Sequence, residues 1–192
     1  MRNIILSLAM SLDGKIEGPN QEYDWIPMDP ESGAELNEFA RGIDTVLYGR
    51  VSYELFGNYR PGGESPKEEQ EFYAAVDGMK KYVFSATKTD FDGNPVLIKN
   101  DVKAQVRALK AQPGKDIWLF GGAKLITTLM NLGLVDRLEI AVVPMVLGEG
   151  NPAFKNLLAR HALRLLKTKQ HHNGIVMLSY AVETDKVQKS AE

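Results

Sequence analysis

Apolar residues fill nearly every position from Ile4 to Met10, the pattern of a central strand covered on both faces. The run stops at Ser11. From there to Met28, Gly14, Gly18, Pro19, Asn20 and Pro27 predict one long irregular loop, a length that compact domains usually reserve for function. Asp29-Pro30 then opens a helix, with aspartate placed to cap it and proline suited to its first turn. Leu36, Phe39, Ala40 and Ile43 supply its apolar stripe. Short apolar runs predict strands over 45–48, 81–84, 96–98, 117–120 and 138–143, and helical spacing predicts helices over 51–56, 67–76, 102–111 and 123–132. The last two strand-like runs, Leu163 to His171 and Ile175 to Glu183, flank His172-Asn173-Gly174, whose Asn-Gly predicts a tight antiparallel hairpin. Alternating strands and helices predict an α/β fold on a mainly parallel sheet, with an antiparallel edge from the C-terminal hairpin. No repeat or linker divides the chain, so residues 1–183 read as one domain and 184–192 as a polar tail.

Composition narrows the chemistry. The chain has 192 residues, 44% hydrophobic and 25% charged, which is ordinary globular make-up. A net charge of -2 argues against a nucleic-acid partner. The absence of cysteine excludes disulfides, thiolate metal sites and a cysteine nucleophile. His161, His171 and His172 lack metal-ligand spacing; the two in the hairpin point to opposite faces and read as surface residues, so no metal is expected. No stretch reaches membrane-spanning length, and the opening run meets Asp13, Lys15 and Glu17 too soon for a signal peptide. A cytoplasmic protein with no membrane partner is the expectation.

Two strand–glycine–helix junctions carry the strongest chemical signal: Tyr48-Gly49-Arg50-Val51-Ser52 and Phe120-Gly121-Gly122-Ala123-Lys124. A helix starting directly after a strand aims free N–H groups at the crevice above the sheet, and glycine lets a phosphate approach the backbone. Either junction alone reads equally well as a tight turn. Arg50 adds a fixed positive charge. Ser85-Ala86-Thr87-Lys88, after another strand, offers two hydroxyls and an ammonium to a ribose phosphate or forms an exposed polar turn. The third glycine of a GxGxxG fingerprint is missing. Asp13 and Glu35 are the candidate acids, against a turn-former and a solvated helix residue respectively. Trp25, in the long loop, is the candidate substrate-pocket aromatic.

These segments resemble the dihydrofolate-reductase-like superfamily. The similarity is greatest to the reductase domain, the C-terminal one, of the bifunctional riboflavin-biosynthesis deaminase-reductase and its stand-alone bacterial relatives. The most specific match is Ile117-Trp118-Leu119-Phe120-Gly121-Gly122-Ala123-Lys124-Leu125, continuing through Gly133-Leu134-Val135-Asp136-Arg137 to Val143-Pro144-Met145-Val146-Leu147-Gly148-Glu149-Gly150. Ser11-Leu12-Asp13-Gly14-Lys15-Ile16 and Gly49-Arg50-Val51-Ser52-Tyr53-Glu54 support it. The resemblance implies a three-layer α/β/α fold with NADPH lying across the sheet. It implies Ala9 and Ile16 near the nicotinamide, and Gly49, Arg50, Val51 and Ser52 at the pyrophosphate and 2′-phosphate loop. Ser85, Ala86, Thr87 and Lys88 fall at the adenosine end, and Gly121, Gly122, Ala123, Lys124, Leu125 and Ile126 at the second diphosphate turn. Glu35 stands where dihydrofolate reductases carry their substrate-binding acid.

The expected function is therefore an NADPH-dependent reductase of the riboflavin type, converting the ribosylamino group of a pyrimidine phosphate to a ribitylamino group. The alternatives are a dihydrofolate or pteridine reductase and a non-catalytic nucleotide-binding protein. The expected partner is a small pyrimidine- or pterin-type molecule. Relatives commonly pair, and the apolar segment Leu138 to Leu147 reads either as a homodimer contact or as a core strand.

Overall fold

The opening apolar run becomes β1 (Ile4–Ser11), with parallel strands on both sides of it. The computed structural model describes residues 1–183; the polar tail expected over 184–192 lies outside the described residues. The other strands of the main sheet are β3 (Ile43–Gly49), β4 (Lys80–Phe84), β5 (Val96–Ile98), β6 (Asp116–Gly121), β7 (Arg137–Val143), β9 (Leu163–Gln170) and β10 (Val176–Val182). They lie in the order β5-β4-β3-β6-β1-β7-β10-β9. All pairs up to β7 are parallel, and β10 and β9 complete the sheet antiparallel. This is the three-layer α/β/α arrangement of the dihydrofolate-reductase-like fold.

One face of the sheet buries Ile4, Leu6, Leu138 and Ile140 against Val106 and Leu109 of α4 (Val102–Ala111) and Leu125, Ile126, Leu129 and Met130 of α5 (Ala123–Asn131). The other buries Ile5, Val46 and Trp118 against Ala40 of α1 (Pro30–Arg41), Tyr53 of α2 (Arg50–Phe56) and Phe72 and Val76 of α3 (Lys67–Asp77). Asp29 caps α1 by accepting the Ser32 N–H at 2.8 Å. α1 stops at Gly42, so Ile43 opens β3 instead of completing the helix stripe.

The structure refines three expectations. The loop after β1 is not wholly irregular: β2 (Lys15–Glu17) pairs antiparallel with β8 (Asn151–Pro152). The Asn-Gly hairpin forms as expected. His171 N–H bonds the Ile175 carbonyl around a three-residue loop in which Gly174 alone has positive φ, and Asn173 spends its amide oxygen on the Ile175 N–H. The segment Leu138 to Leu147 is mostly a core strand between β1 and β10, with only Met145 and Val146 among its large apolar residues exposed.

Polar ties concentrate where the parallel strands begin. Arg2 pairs with Asp44, Asn3 N–H donates to Asp116, and Ile4 N–H donates to Asp136. Asp136 also pairs at 2.6 Å with Lys110, a lysine only 8% exposed. Removing one partner of a buried pair strands the other charge, at a cost of about 3–5 kcal/mol. Asp136→Ala should therefore fall near the lower end of that range in urea denaturation while leaving the opposite edge of the sheet unchanged.

Candidate active site

Chain progression reverses between β3 and β6. From β3 the chain moves outward to β4 and β5; from β6 it crosses β1 to reach β7. Open α/β sheets bind ligands beyond the carboxyl ends of their strands at such a point. Both strands end there in glycine. Gly49 leads straight into α2, and Gly121, at φ +119, leads through a cis peptide to Gly122 and α5; neither helix has a side-chain cap. A β-carbon on Gly49 would stand 3.3 Å from the Gly121 carbonyl oxygen and 3.4 Å from the Gly122 nitrogen, so the two turns lie in near contact.

A cavity of about 1170 Å³ opens over these turns; we call the part of it bordered by the turns the groove and the part bordered by α1 and α3 the chamber. The groove is bordered by Gly49, Arg50, Val51 and Ser52 on one side and Gly122, Ala123, Lys124, Leu125 and Ile126 on the other. It extends past Ser85, Ala86 and Thr87 to Lys99 before α4. Ala9 and Ile16 border its inner part. The chamber lies on the α1 and α3 face, walled by Ser7, Trp118 and Phe120 from the sheet and by Glu35, Leu36, Phe72 and Tyr73 from the helices. Trp118 is fixed by its indole N–H on the Ser7 carbonyl at 3.1 Å. Burial pushes the Tyr73 phenol up to about 12, so it remains a neutral hydroxyl.

Four expected site residues do not line this cavity. Gly121 shapes the turn beneath it. Lys88 is drawn away to Glu54 at 2.8 Å, where Arg50 also binds at 2.7 Å, and sits over the Phe91 ring. Both cations hold the Glu54 carboxyl below its usual pKa, the Lys88 hydrogen bond most strongly. Trp25 donates its indole N–H back to the Glu22 carbonyl at 3.2 Å, and its neighbours Tyr23, Asp24 and Ile26 border the cavity instead. Asp13 is the main correction. Its carboxylate accepts from the Ser11 hydroxyl at 2.7 Å and from the Leu147 and Gly148 N–H groups at 3.1 and 2.9 Å. These bonds, the Ser11 one foremost, lower its pKa to about 2. It is an ionised clasp between two loops, unsuited to donate a proton.

Glu35 does line the chamber. Its Oε1 pairs with Lys169, whose pKa this bond raises, and stands 4.0 Å from His171 Nε2. His171 corrects a second expectation: it is 2% exposed, borders the cavity, and has both ring nitrogens without a partner among the described residues. A buried polar atom left unpaired costs about 1–3 kcal/mol. His172 is the surface residue, bonded through Nδ1 to Glu31 at 2.6 Å and thereby chiefly responsible for lowering that carboxyl to about 2. Glu69, Glu139 and Tyr59 also line the chamber, and Lys155 the groove; none was anticipated. The alternation of β7, which puts Glu139 on the same face as Ala141 and Val143, was the one available signal for any of them.

The model of the RibD C-terminal domain family matches residues 2–177. The chain belongs to that family. Two uncharacterized proteins of Bacillus subtilis (strain 168) are relatives: YyaP, 47% identical over 93% of this chain and 94% of its own length, and YwjB, 32% identical over 91% and 95%. Among solved structures, a Shewanella sp. PV-4 protein described as one of riboflavin biosynthesis superposes with a TM-score of 0.77, at 20% identity over 95% of this chain and 99% of that one. A pyrimidine reductase-like protein of Corynebacterium diphtheriae gives 0.70, at 18% identity over 96% and 93%. A Thermotoga maritima deaminase/5-amino-6-(5-phosphoribosylamino)uracil reductase gives 0.68 at 15% identity, with 94% of this chain covering 56% of that longer one. The fold expected from the sequence is the fold found.

The Asp13 clasp is directly testable. Because its folded pKa lies below the usual 3.8, its stabilising effect is present above that value and lost as pH falls through about 2. Asp13→Asn should raise hydrogen exchange at the Leu147 and Gly148 amides at neutral pH. It should also remove the acid dependence of that loop, with ligand binding in the chamber unchanged.

Proposed function

We propose that this protein is an NADPH-dependent reductase of small pyrimidine- or pterin-type molecules, in the manner of the riboflavin-pathway reductases. The reading is carried by one observation: a cation-bearing groove over two glycine turns runs into a chamber that holds a carboxylate. The groove suits a dinucleotide diphosphate. The start of α5 has no side-chain cap, a β-carbon on Gly122 would press on Ser52 Oγ at 3.2 Å, and Arg50, Lys99, Lys124 and Lys155 line its walls. Arg50, with Ser85 and Thr87 nearby in the groove, suits the extra phosphate that distinguishes NADPH from NADH.

NADPH supplies the hydride when bound. This chain binds, orients and manages the proton. Reduction of a C=N or C=O bond leaves charge on the heteroatom, which needs a proton or a hydrogen bond. We assign this to Glu35 acting through a water: both of its contacts use Oε1, which leaves Oε2 to hold a water that hydrogen-bonds the heteroatom. The apolar and aromatic walls from Trp118, Phe120 and Phe72 suit a flat ring. A ribosylamino-pyrimidine is the first candidate substrate. A pterin is the second, favoured by a carboxylate able to pair with ring amino and N–H groups. Among the described residues no helix is long and apolar enough to cross a membrane, and a cytoplasmic location belongs to the same proposal. So does a homodimer, for which the exposed Leu163, Leu165 and Leu166 on edge strand β9 are the candidate surface.

Calorimetric titration tests the cofactor. The parent should bind NADPH more tightly than NADH, and Gly122→Val should abolish binding with circular dichroism unchanged. Arg50→Ala should cost NADPH about 1.5–3 kcal/mol, the range for a charge-assisted hydrogen bond, and NADH almost nothing. Equal losses would remove Arg50 from the 2′-phosphate.

Steady-state NADPH oxidation tests the acid. Glu35→Gln should lower kcat by about 10²–10⁴-fold, as loss of general acid assistance does, with NADPH affinity retained. Asp13→Asn should have the smaller effect. Unchanged turnover in Glu35→Gln would assign the proton to another group.

A further inference from the structure

Three charges meet at the start of α2, and one of them is negative. Arg50, the first residue of α2, borders the cavity. Among the described residues its guanidinium bonds only Glu54, one helical turn along, from Nη1 to Oε2 at 2.7 Å. The other carboxylate oxygen, Oε1, accepts from Lys88 Nζ at 2.8 Å. Neither Glu54 nor Lys88 lines the cavity. Lys88 is held in place by the turn after β4: its backbone N–H bonds the Ser85 hydroxyl at 3.1 Å, and its ammonium sits 5.1 Å from the centre of the Phe91 ring. Ser85, Ala86 and Thr87 of the same turn do line the cavity.

One carboxylate therefore serves two cations, one through each oxygen. The three side chains are between 31% and 48% exposed, so neither ion pair is strong; pairs in contact with water are screened and easily exchanged. A phosphate monoester carries nearly two negative charges and three acceptor oxygens, which makes it a better partner for the guanidinium than a shared carboxylate. Glu54 cannot leave when a phosphate arrives, because it is tethered four residues along the same helix. Its charge stays beside the guanidinium and opposes the phosphate. The neutral ribose hydroxyl that NADH carries at the same position feels no such opposition. Lys88 works in the other direction. By holding Oε1 it draws the carboxylate toward itself and away from Arg50, while its own charge is engaged outside the cavity.

We infer that Glu54 and Lys88 set the preference between the phosphorylated and the unphosphorylated dinucleotide: Glu54 is a resident counter-ion that competes with the 2′-phosphate for Arg50, and Lys88 relieves that competition from outside the cavity. Neither is a phosphate ligand. The inference rests on the NADPH reading for the role of Arg50 and adds the two residues that tune it. The selectivity for NADPH is held below what Arg50 alone would give.

Calorimetric titration of the intact protein with NADPH and with NADH, at low ionic strength, tests this as a double-mutant cycle. Glu54→Gln keeps the shape of the side chain and removes its charge. It should tighten NADPH roughly threefold to fivefold, the reach of an exposed ion pair, and leave NADH unchanged. Lys88→Ala should weaken NADPH by roughly the same factor, because the whole carboxylate then turns to Arg50. In the Glu54→Gln background Lys88→Ala should change NADPH affinity little, since no charge remains for the lysine to draw away. Unchanged or weaker NADPH binding in Glu54→Gln overturns the proposal; a loss there assigns the carboxylate to orienting Arg50. Equal losses from Lys88→Ala in both backgrounds make the lysine a phosphate ligand, and no loss in either makes it inert; each result overturns the proposal. So does a change that is the same for NADPH and NADH. A parent protein that binds neither dinucleotide overturns the cofactor reading and this proposal with it, whereas a parent that binds NADPH and variants that break the pattern overturn this proposal alone.

Discussion

The near contact of two glycine turns governs the architecture of the site. β3 and β6 are hydrogen-bonded neighbours whose chains depart in opposite directions, so their carboxyl ends part and leave a crevice. Gly49 lies against the Gly121–Gly122 peptide, and a β-carbon there, 3.3 Å from the Gly121 carbonyl oxygen, would press on the facing turn. That approach sets the starts of α2 and α5 on either side of one gap, with Ser52 of α2 against Gly122. Two uncapped helix starts and the cations around them then face the same space, which makes the groove electrostatically suited to an anion before any ligand arrives.

Charged side chains of both signs then line the cavity that topology opens. The groove takes its cations from helices and turns beyond the sheet's carboxyl edge, whereas the chamber takes its acids from the face of the sheet, from α1 and α3 and from the loop after β2. Glu139 shows how the fold tolerates this. It lines the chamber from β7, and its Oε1 accepts from Arg137 at 2.5 Å and from the Ser179 hydroxyl at 2.8 Å. Glu35 is held likewise by Lys169, from the antiparallel hairpin. The hairpin thus does more than close the sheet, since β9 brings the counter-charge and its turn brings the histidine.

Local patterns made most of the fold legible. Continuous apolar runs gave the buried strands, and Asp29-Pro30 gave the start of α1, because a cap is written in adjacent residues. The glycine turns were legible for the same reason. What escaped was whatever depends on a partner distant in sequence. Nothing in Ser11-Leu12-Asp13-Gly14 reveals that the Leu147 and Gly148 amides will claim the aspartate. Nothing in Lys88 reveals that Glu54 will hold it. His171 looked exposed because its neighbours are polar and hairpin turns are usually solvated; only the packing of α1 over the turn, with Asn173 bonded to Asp29 and His172 to Glu31, covers it. The Trp25 loop was correctly singled out and its lining residue misplaced, since an indole bond three residues back turns the ring away.

The two edges of the sheet differ in how their polar groups are satisfied, and that difference explains why the site can carry an unpaired histidine at all. Where the parallel strands begin, Arg2, Asn3, Asp44, Asp116, Asp136 and Lys110 are tied to one another or to backbone N–H groups. Where they end, the backbone is left to the cavity, and the exposed Asp13, between β1 and β2, clasps the loop after β7 by accepting from its Leu147 and Gly148 N–H groups. Native proteins break their own rules of polar satisfaction chiefly at functional sites and offset the cost elsewhere. A buried imidazole with no partner is such a break. It persists because α1, β9 and β10 are anchored around it by Asp29–Asn173, Glu31–His172 and Glu35–Lys169, which fix the ring in place without satisfying it. The unmet hydrogen bonds of His171 are therefore held beside the Glu35 carboxylate at the wall of the cavity.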